Sequence, residues 1–158
     1  MKITDLHIHN FKFIRDMHIQ NIENALILVG QNNTGKTTVL DAVRAVGGEY
    51  EITPEDFGED GANIEISVTL EFSDGGLELL HRRGMVSQYR RKDAWLQDFQ
   101  KKLPSFCGGF LSFTMTANRS GRVRYQDGVK KHNPYLREVF PKIYYVDTER
   151  NLEALQGD

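Results

Sequence analysis

The chain has 158 residues, 39% of them hydrophobic and 27% charged, which is the balance of an ordinary globular protein and long enough for one domain with its own core. No apolar run approaches the roughly 20 residues that cross a bilayer. The start, Met1-Lys2-Ile3-Thr4-Asp5, lacks the apolar stretch of a secretory signal, so a cytoplasmic chain without membrane contact is expected. The one cysteine, Cys107, excludes an internal disulfide framework and any multi-cysteine zinc site, and is expected to be a small buried hydrophobe.

The net charge of -2 conceals an asymmetry, with residues 1–80 carrying -9, residues 81–142 carrying +10 and residues 143–158 carrying -3. A stretch that basic either faces phosphates or an acidic partner, or is a solvated face balanced by the acidic first half. In chain order, Lys2 to Asn10, Met17 to Ile22 and the all-apolar run Ala25-Leu26-Ile27-Leu28-Val29 read as strands, the last covered on both faces. Val39, Leu40, Val43 and Val46 then recur at helical spacing, and Gly47-Gly48 stops the helix. The connector from Glu49 to Gly61 is acidic and turn-rich. Ile64, Ile66, Val68, Leu70 and Phe72 alternate as a half-buried strand does, and after Ser73-Asp74-Gly75-Gly76 the segment Leu77 to Arg83 reads as its returning partner. Trp95, Leu96, Phe99 and Leu103 fit a helix ended by Pro104. A hairpin follows, Phe110 to Ala117 and Val123 to Gln126 around Asn118-Arg119-Ser120-Gly121. A short helix from about Pro134 to Val139 and a strand from Lys142 to Val146 complete the elements.

Between the apolar strand and the first helix lies Gly30-Gln31-Asn32-Asn33-Thr34-Gly35-Lys36-Thr37. Two glycines bracket four residues ahead of Lys-Thr, the spacing at which backbone N–H groups curl around a phosphate. The glycines permit the tight anion-enclosing backbone, Lys36 places a point charge on the β- and γ-phosphates, and the Thr37 hydroxyl can ligate Mg²⁺. The helix beginning near Gly35 directs its amide dipoles at the same group. No Asn-Lys-x-Asp segment is present to read guanine, so ATP with Mg²⁺ is the expected cofactor.

The first 48 or so residues resemble the amino-terminal lobe of the ABC-type ATPases that handle DNA: the SMC, RecF and OLD (overcoming lysogenisation defect) families, all AAA-like P-loop ATPases. Asn10-Phe11-Lys12 matches the family's Asn-Phe-Lys/Arg, and Gly30, Asn32, Thr34, Gly35, Lys36, Thr37 and Thr38 match its phosphate loop, which Leu40-Asp41-Ala42 follows. The resemblance implies an α/β P-loop fold of the ABC-head type, first lobe only, with antiparallel strands beside the phosphate-loop helix in a mixed sheet. It implies ATP contacts from Gly30, Asn32, Asn33, Thr34, Gly35, Lys36, Thr37 and Thr38, with Thr38 on the α-phosphate and Lys12 or Arg15 beside the adenine or α-phosphate. Ile52-Thr53-Pro54-Glu55-Asp56-Phe57 and the run Tyr144 to Asn151 look most like OLD-type ATPases.

Such heads hydrolyse ATP between two copies, one offering the phosphate loop and the other an LSGGQ-like signature, and no such signature occurs here. Nor does an apolar strand end in adjacent Asp-Glu, where the pair would hold Mg²⁺ and polarise the attacking water. Asp147 or Glu149 is expected at a loop that touches Mg²⁺ and its water, with the acidic-pair strand and a plain strand end as alternatives. Lys36 would stabilise transition-state charge. One domain over 1–158 is therefore expected to be a fragment or one part of a split ATPase in DNA repair or defence against foreign DNA. It would bind ATP with little turnover until a carboxy-terminal lobe, or a second subunit in an ATP-dependent homodimer, completes it. DNA would meet the basic segment at 82–142. A rival reading keeps the fold as a regulatory module that never hydrolyses ATP. A more distant one takes His7 and His9, alternate residues on one strand, as the metal ligands of a phosphoesterase, although the sequence shows no accompanying cluster of acidic and histidine residues.

Overall fold

The computed structural model describes residues 1–20 and 33–141. The strand expected at 25–29, Gly30, Gln31 and Asn32 of the phosphate loop, the last strand and the acidic candidates Asp147 and Glu149 lie outside them. Strict alternation makes the sheet. In β3 (Ile64–Glu71), Ile64, Ile66, Val68 and Leu70 are buried while Glu65, Ser67, Thr69 and Glu71 face the other way. The same alternation runs through β4 (Phe110–Ala117); in β1 (Lys2–Phe11) a bulge between Ile3 and Asp5 and the left-handed Asn10 interrupt it, and β2 (Ile14–Gln20) and β5 (Val123–Gln126) bury Ile14, Ile19 and Tyr125. The five pair antiparallel in the order β2-β1-β3-β4-β5. One face is apolar and joins the helices in a single core; the other is a polar lattice whose rows run across the strands, such as His18, His7, Ser67, Thr114 and Gln126. Each large side chain withdrawn from water on the first face contributes about 1.5–3 kcal/mol.

Helix α1 (Asn33–Val46) buries Val39, Leu40, Ala42, Val43 and Val46 in that core. Its start is two residues earlier than the sequence led one to expect. Its end is a Schellman motif: the Glu49 amide donates to the Arg44 carbonyl (2.8 Å) and the Gly48 amide to that of Ala45 (3.1 Å). Gly48 has φ +79°, a backbone conformation that strains any residue with a side chain, and a Cβ there would also oblige the Arg137 guanidinium to move aside. From β5 the buried Tyr125 hydroxyl donates to the Val46 carbonyl at 2.6 Å, which satisfies a carbonyl that α1 leaves without an intrahelical donor.

Two expectations fail. Leu77 to Arg83 is no returning strand but part of α2 (Asp74–Arg82). The Ser73 hydroxyl caps that helix by accepting from the Gly76 amide (3.1 Å), and both edges of β3 are already taken by β1 and β4. Cys107 is exposed rather than buried. It sits at the corner of a tight turn in which Cys107 and Phe110 exchange both main-chain hydrogen bonds at 2.9 Å and Gly108 and Gly109 both take positive φ. The helix carrying Trp95, Phe99 and Leu103 forms as α3 (Lys92–Lys102), the β4–β5 hairpin forms as read, and α4 (Tyr135–Val139) supplies buried Leu136 and Val139. No helix among the described residues is long and apolar enough to cross a membrane.

Burial pushes the Tyr125 hydroxyl up to about 12. A raised acid contributes stability that is intact below its unfolded value near 10 and is lost as pH rises toward 12. Over that window the stability of the native chain should therefore fall relative to Tyr125→Phe, by at most about 1.4 kcal/mol per pH unit, in urea unfolding at stepped pH. At neutral pH Tyr125→Phe should cost about 1–2 kcal/mol, because the Val46 carbonyl loses its donor.

Candidate functional site

Helix α1 sets the geometry. Its first turn, Asn33 to Lys36, is formed by the second half of the glycine-rich segment itself, and the backbone N–H groups there, which a helix cannot satisfy internally, carry the positive end of the dipole. Thr37 is half-buried and Thr38 buried. Asp41 lies four residues after Thr37, on the same face and about 6 Å further along the axis.

The turn between β1 and β2 comes to this point. Asn10 and Lys12 both adopt left-handed backbone, φ +58° and +55°, a conformation that is uncommon away from glycine. Lys12 is held there from both ends. Its amide donates to the Asp56 carbonyl at 2.7 Å, and its ammonium lies 2.9 Å from the Asp41 carboxylate. The ammonium also stands over the rings of Phe11 (5.5 Å) and Tyr50 (5.0 Å), a geometry that favours a cation. Partial burial pulls the Lys12 pKa down, but hydrogen bonding to Asp41 and Tyr50 outweighs it, so the net shift is upward and the side chain stays charged. Asp41 takes a second, longer contact from Arg44 at 3.5 Å.

Two motifs that lie 29 residues apart in the chain, Asn10-Phe11-Lys12 and Leu40-Asp41-Ala42, are thus one structural unit. Phe11 and Leu40 are buried in the core beside the ion pair. Tyr50 and Asp56 complete it and were not singled out from the sequence. The Tyr50 hydroxyl donates to Asp56 at 2.8 Å, and the Thr53 amide donates to the same carboxylate at 2.9 Å. Thr53-Pro54-Glu55-Asp56 has the spacing of a capping box, the one signal that would have found Asp56. Arg15, the other candidate beside the nucleotide, pairs instead with exposed Asp60 at 3.1 Å.

The remaining sequence candidates fall elsewhere. His7 and His9 lie on the solvent face of β1, away from the core, and the acidic and histidine neighbours that the sequence seemed to lack are supplied across the hairpin by Asp16 and His18. Of the basic candidates, Lys101 is exposed on α3 and the others fall in two places. Arg82, Arg83, Arg90 and Arg91 surround the loop from α2 to α3, while Arg122, Arg124, Lys130 and Lys131 are exposed on β5 and the segments beside it.

A helix headed by a glycine-rich loop and packed on an α/β layer is the architecture of a nucleotide-binding domain. The AAA ATPase domain family matches residues 1–144, which include the whole loop, and the chain belongs to that family. No curated protein matches it. Membership supports ATP as the nucleotide, usually with Mg²⁺.

Lys12→Met keeps the aliphatic stem on Phe11 and Tyr50 but leaves Asp41 buried with only its longer Arg44 contact. It should lower stability by about 1–3 kcal/mol in urea unfolding. A double-mutant cycle with Asp41→Asn should return a coupling of at least about 0.5 kcal/mol, and additivity would show that the pair contributes nothing.

Proposed function

We propose that this chain is the ATP- and Mg²⁺-binding first lobe of an ABC-type ATPase head of the SMC, RecF and OLD kind, acting on DNA. The observation that carries the reading is the junction of the Asn10-Phe11-Lys12 turn with the phosphate-loop helix through Lys12 and Asp41. A bare phosphate loop needs no such partner, whereas here a second cation, Lys12, is paired with Asp41 one helical turn after Thr37, which supports the reading. In this reading the first-turn amides of α1 and Lys36 receive the β- and γ-phosphates, Thr37 ligates Mg²⁺, and Thr38 and Lys12 serve the α-phosphate. Held by Thr37, Mg²⁺ would supply positive charge against the negative charge that develops on the phosphates.

Hydrolysis requires a second half, from a further lobe or a second copy in an ATP-dependent dimer, because the sequence carries neither a signature motif nor an adjacent Asp-Glu pair. Asp147 or Glu149 is the chain's own candidate for the water-side contact. In calorimetry the purified chain should bind Mg-ATP, and Lys36→Ala should abolish that binding while leaving the fold unchanged. Turnover should be several orders of magnitude below that of a complete ATPase, since transition-state groups of that worth are missing. Robust hydrolysis abolished by Lys36→Ala would overturn the requirement for a second half. Failure to bind ATP would overturn the reading as a whole.

DNA contact rests on the loop from α2 to α3. Val86 sits at φ +69°, strained for a β-branched residue, yet its amide donates to Glu138 (3.0 Å), its carbonyl accepts from Lys102 (3.0 Å), and the preceding Met85 carbonyl accepts from the Trp95 indole (3.0 Å). These bonds hold a rigid platform on which Arg82, Arg83, Arg90 and the half-exposed ring of Tyr89 face solvent. Duplex binding should weaken steeply with salt, and the Arg82→Ala/Arg83→Ala/Arg90→Ala triple variant should reduce the salt slope by up to about 3. Absence of binding at low salt would remove DNA from the proposal.

A further inference from the structure

The solvent face of the β1–β2 hairpin gathers three imidazoles and two carboxylates that the phosphate site does not use. His7 and His9 point to one side of β1 because alternate residues on a strand share a face, and the antiparallel register sets His18 opposite His7 and Asp16 opposite His9. The His7 and His9 ring centroids are 4.1 Å apart, and those of His7 and His18 5.0 Å. His7 Nε2 is 2.5 Å from Asp16 Oδ1, and His9 Nδ1 is 3.3 Å from the same oxygen. One ligand atom from each of His7, His9 and Asp16 falls within 4.8 Å of the others.

We infer that this hairpin face binds one divalent first-row transition ion, Zn²⁺ foremost, through His7, His9 and Asp16. Tetrahedral ligands at about 2.0–2.1 Å from zinc stand roughly 3.3 Å from one another. The His9 to Asp16 spacing already meets that requirement, His7 must withdraw from Asp16 by less than about 1 Å, and the two imidazole nitrogens, within 4.8 Å of each other, must close by up to about 1.5 Å, all within reach of side-chain rotation. The ladder between β1 and β2 fixes all three Cα positions in advance, so little backbone ordering is needed when the ion enters. The donor set also chooses the ion. Two imidazole nitrogens suit zinc and its neighbours in the row, whereas Mg²⁺ prefers an all-oxygen octahedron, so the magnesium that accompanies ATP does not compete.

Three protein ligands leave at least one coordination position open. Of the three ligands His7 also borders a groove of about 620 Å³, in which Asp5, His7 and His18 meet Ser67, Thr69 and Thr114 of the neighbouring strands. His18 Nε2 is 2.6 Å from Asp5 Oδ1, so this pair is occupied with itself and flanks the triad as a second carboxylate beside the ion's positive charge. The ion would also pin β1 to β2 just behind the turn that carries Lys12. The site therefore sits on the same hairpin as the nucleotide candidate while using none of its residues.

The test takes the full chain, stripped of metal by dialysis against a chelator, and titrates it with Zn²⁺ alone in competition with a chromophoric chelator. One Zn²⁺ should bind per chain, and a large excess of Mg²⁺ should not displace it. His7→Asn, His9→Asn and Asp16→Asn should each weaken binding by more than about tenfold, the loss usual even for groups that only orient a ligand. His132→Asn, whose amide oxygen can still accept from the Tyr125 N–H, should change nothing. Undiminished zinc in the His7→Asn/His9→Asn double variant, or no stoichiometric zinc in the unaltered chain, overturns the proposal. X-ray absorption of the Zn²⁺-loaded unaltered chain decides the ligands without any substitution: two imidazoles support the site, and an all-oxygen shell overturns it.

Discussion

A carboxylate on the buried face of a helix must be paired, and in this chain that requirement falls on Asp41. A bare carboxylate in the core would carry a desolvation cost of several kcal/mol. Its partner therefore cannot be optional, and Lys12 supplies it from the tip of the β1–β2 hairpin. The pair ties the phosphate-loop helix to the sheet at one definite height. It also explains why Lys12 tolerates a left-handed backbone: the ion pair, the Asp56 carbonyl and the two aromatic rings together hold it in place.

The other end of α1 is fixed by a different device. The Schellman turn at Gly48 absorbs two terminal carbonyls, and Tyr125 takes that of Val46. Between these two polar anchors the buried residues of the helix, Ala42, Val43, Ala45 and Val46, pack through apolar contacts, which are strong but have little directional preference. Hydrogen bonds and an ion pair thus set the axial position of α1, while hydrophobic contacts supply most of the attraction. An anion-binding helix needs that division, because its amides serve a phosphate only if they stand at the right distance.

The sheet works as a partition. Its apolar face belongs to the helices, and its polar face presents rows of side chains in strict cross-strand register. On the first face sits the nucleotide candidate, with its ion pair and aromatic shield. On the second sit three histidines whose chemistry suits a softer ion. Both draw on the β1–β2 hairpin, the strand partners being Phe11 and Lys12 for one and His7, His9, Asp16 and His18 for the other.

What the sequence determined by itself is local and periodic. Alternation marked β3, helical spacing marked α1 and α3, and Asn118-Arg119-Ser120-Gly121 marked the β4–β5 turn, because in each case neighbouring residues carry the whole signal. The phosphate-loop motif is local in the same sense. Leu77 to Arg83 was misread because seven residues containing Leu77, Leu79 and Leu80 satisfy both a period of two and a period near 3.6. Only the Ser73 cap and the occupied edges of β3 separate the two. Cys107 was misread because composition cannot show that a turn of two glycines leaves its corner outside. The contacts between distant segments belong to tertiary structure alone. Lys12 with Asp41, Tyr125 with Val46, and Asp16 with His7 and His9 each depend on strand register or on the fold bringing separate elements together, and no window of sequence contains that information.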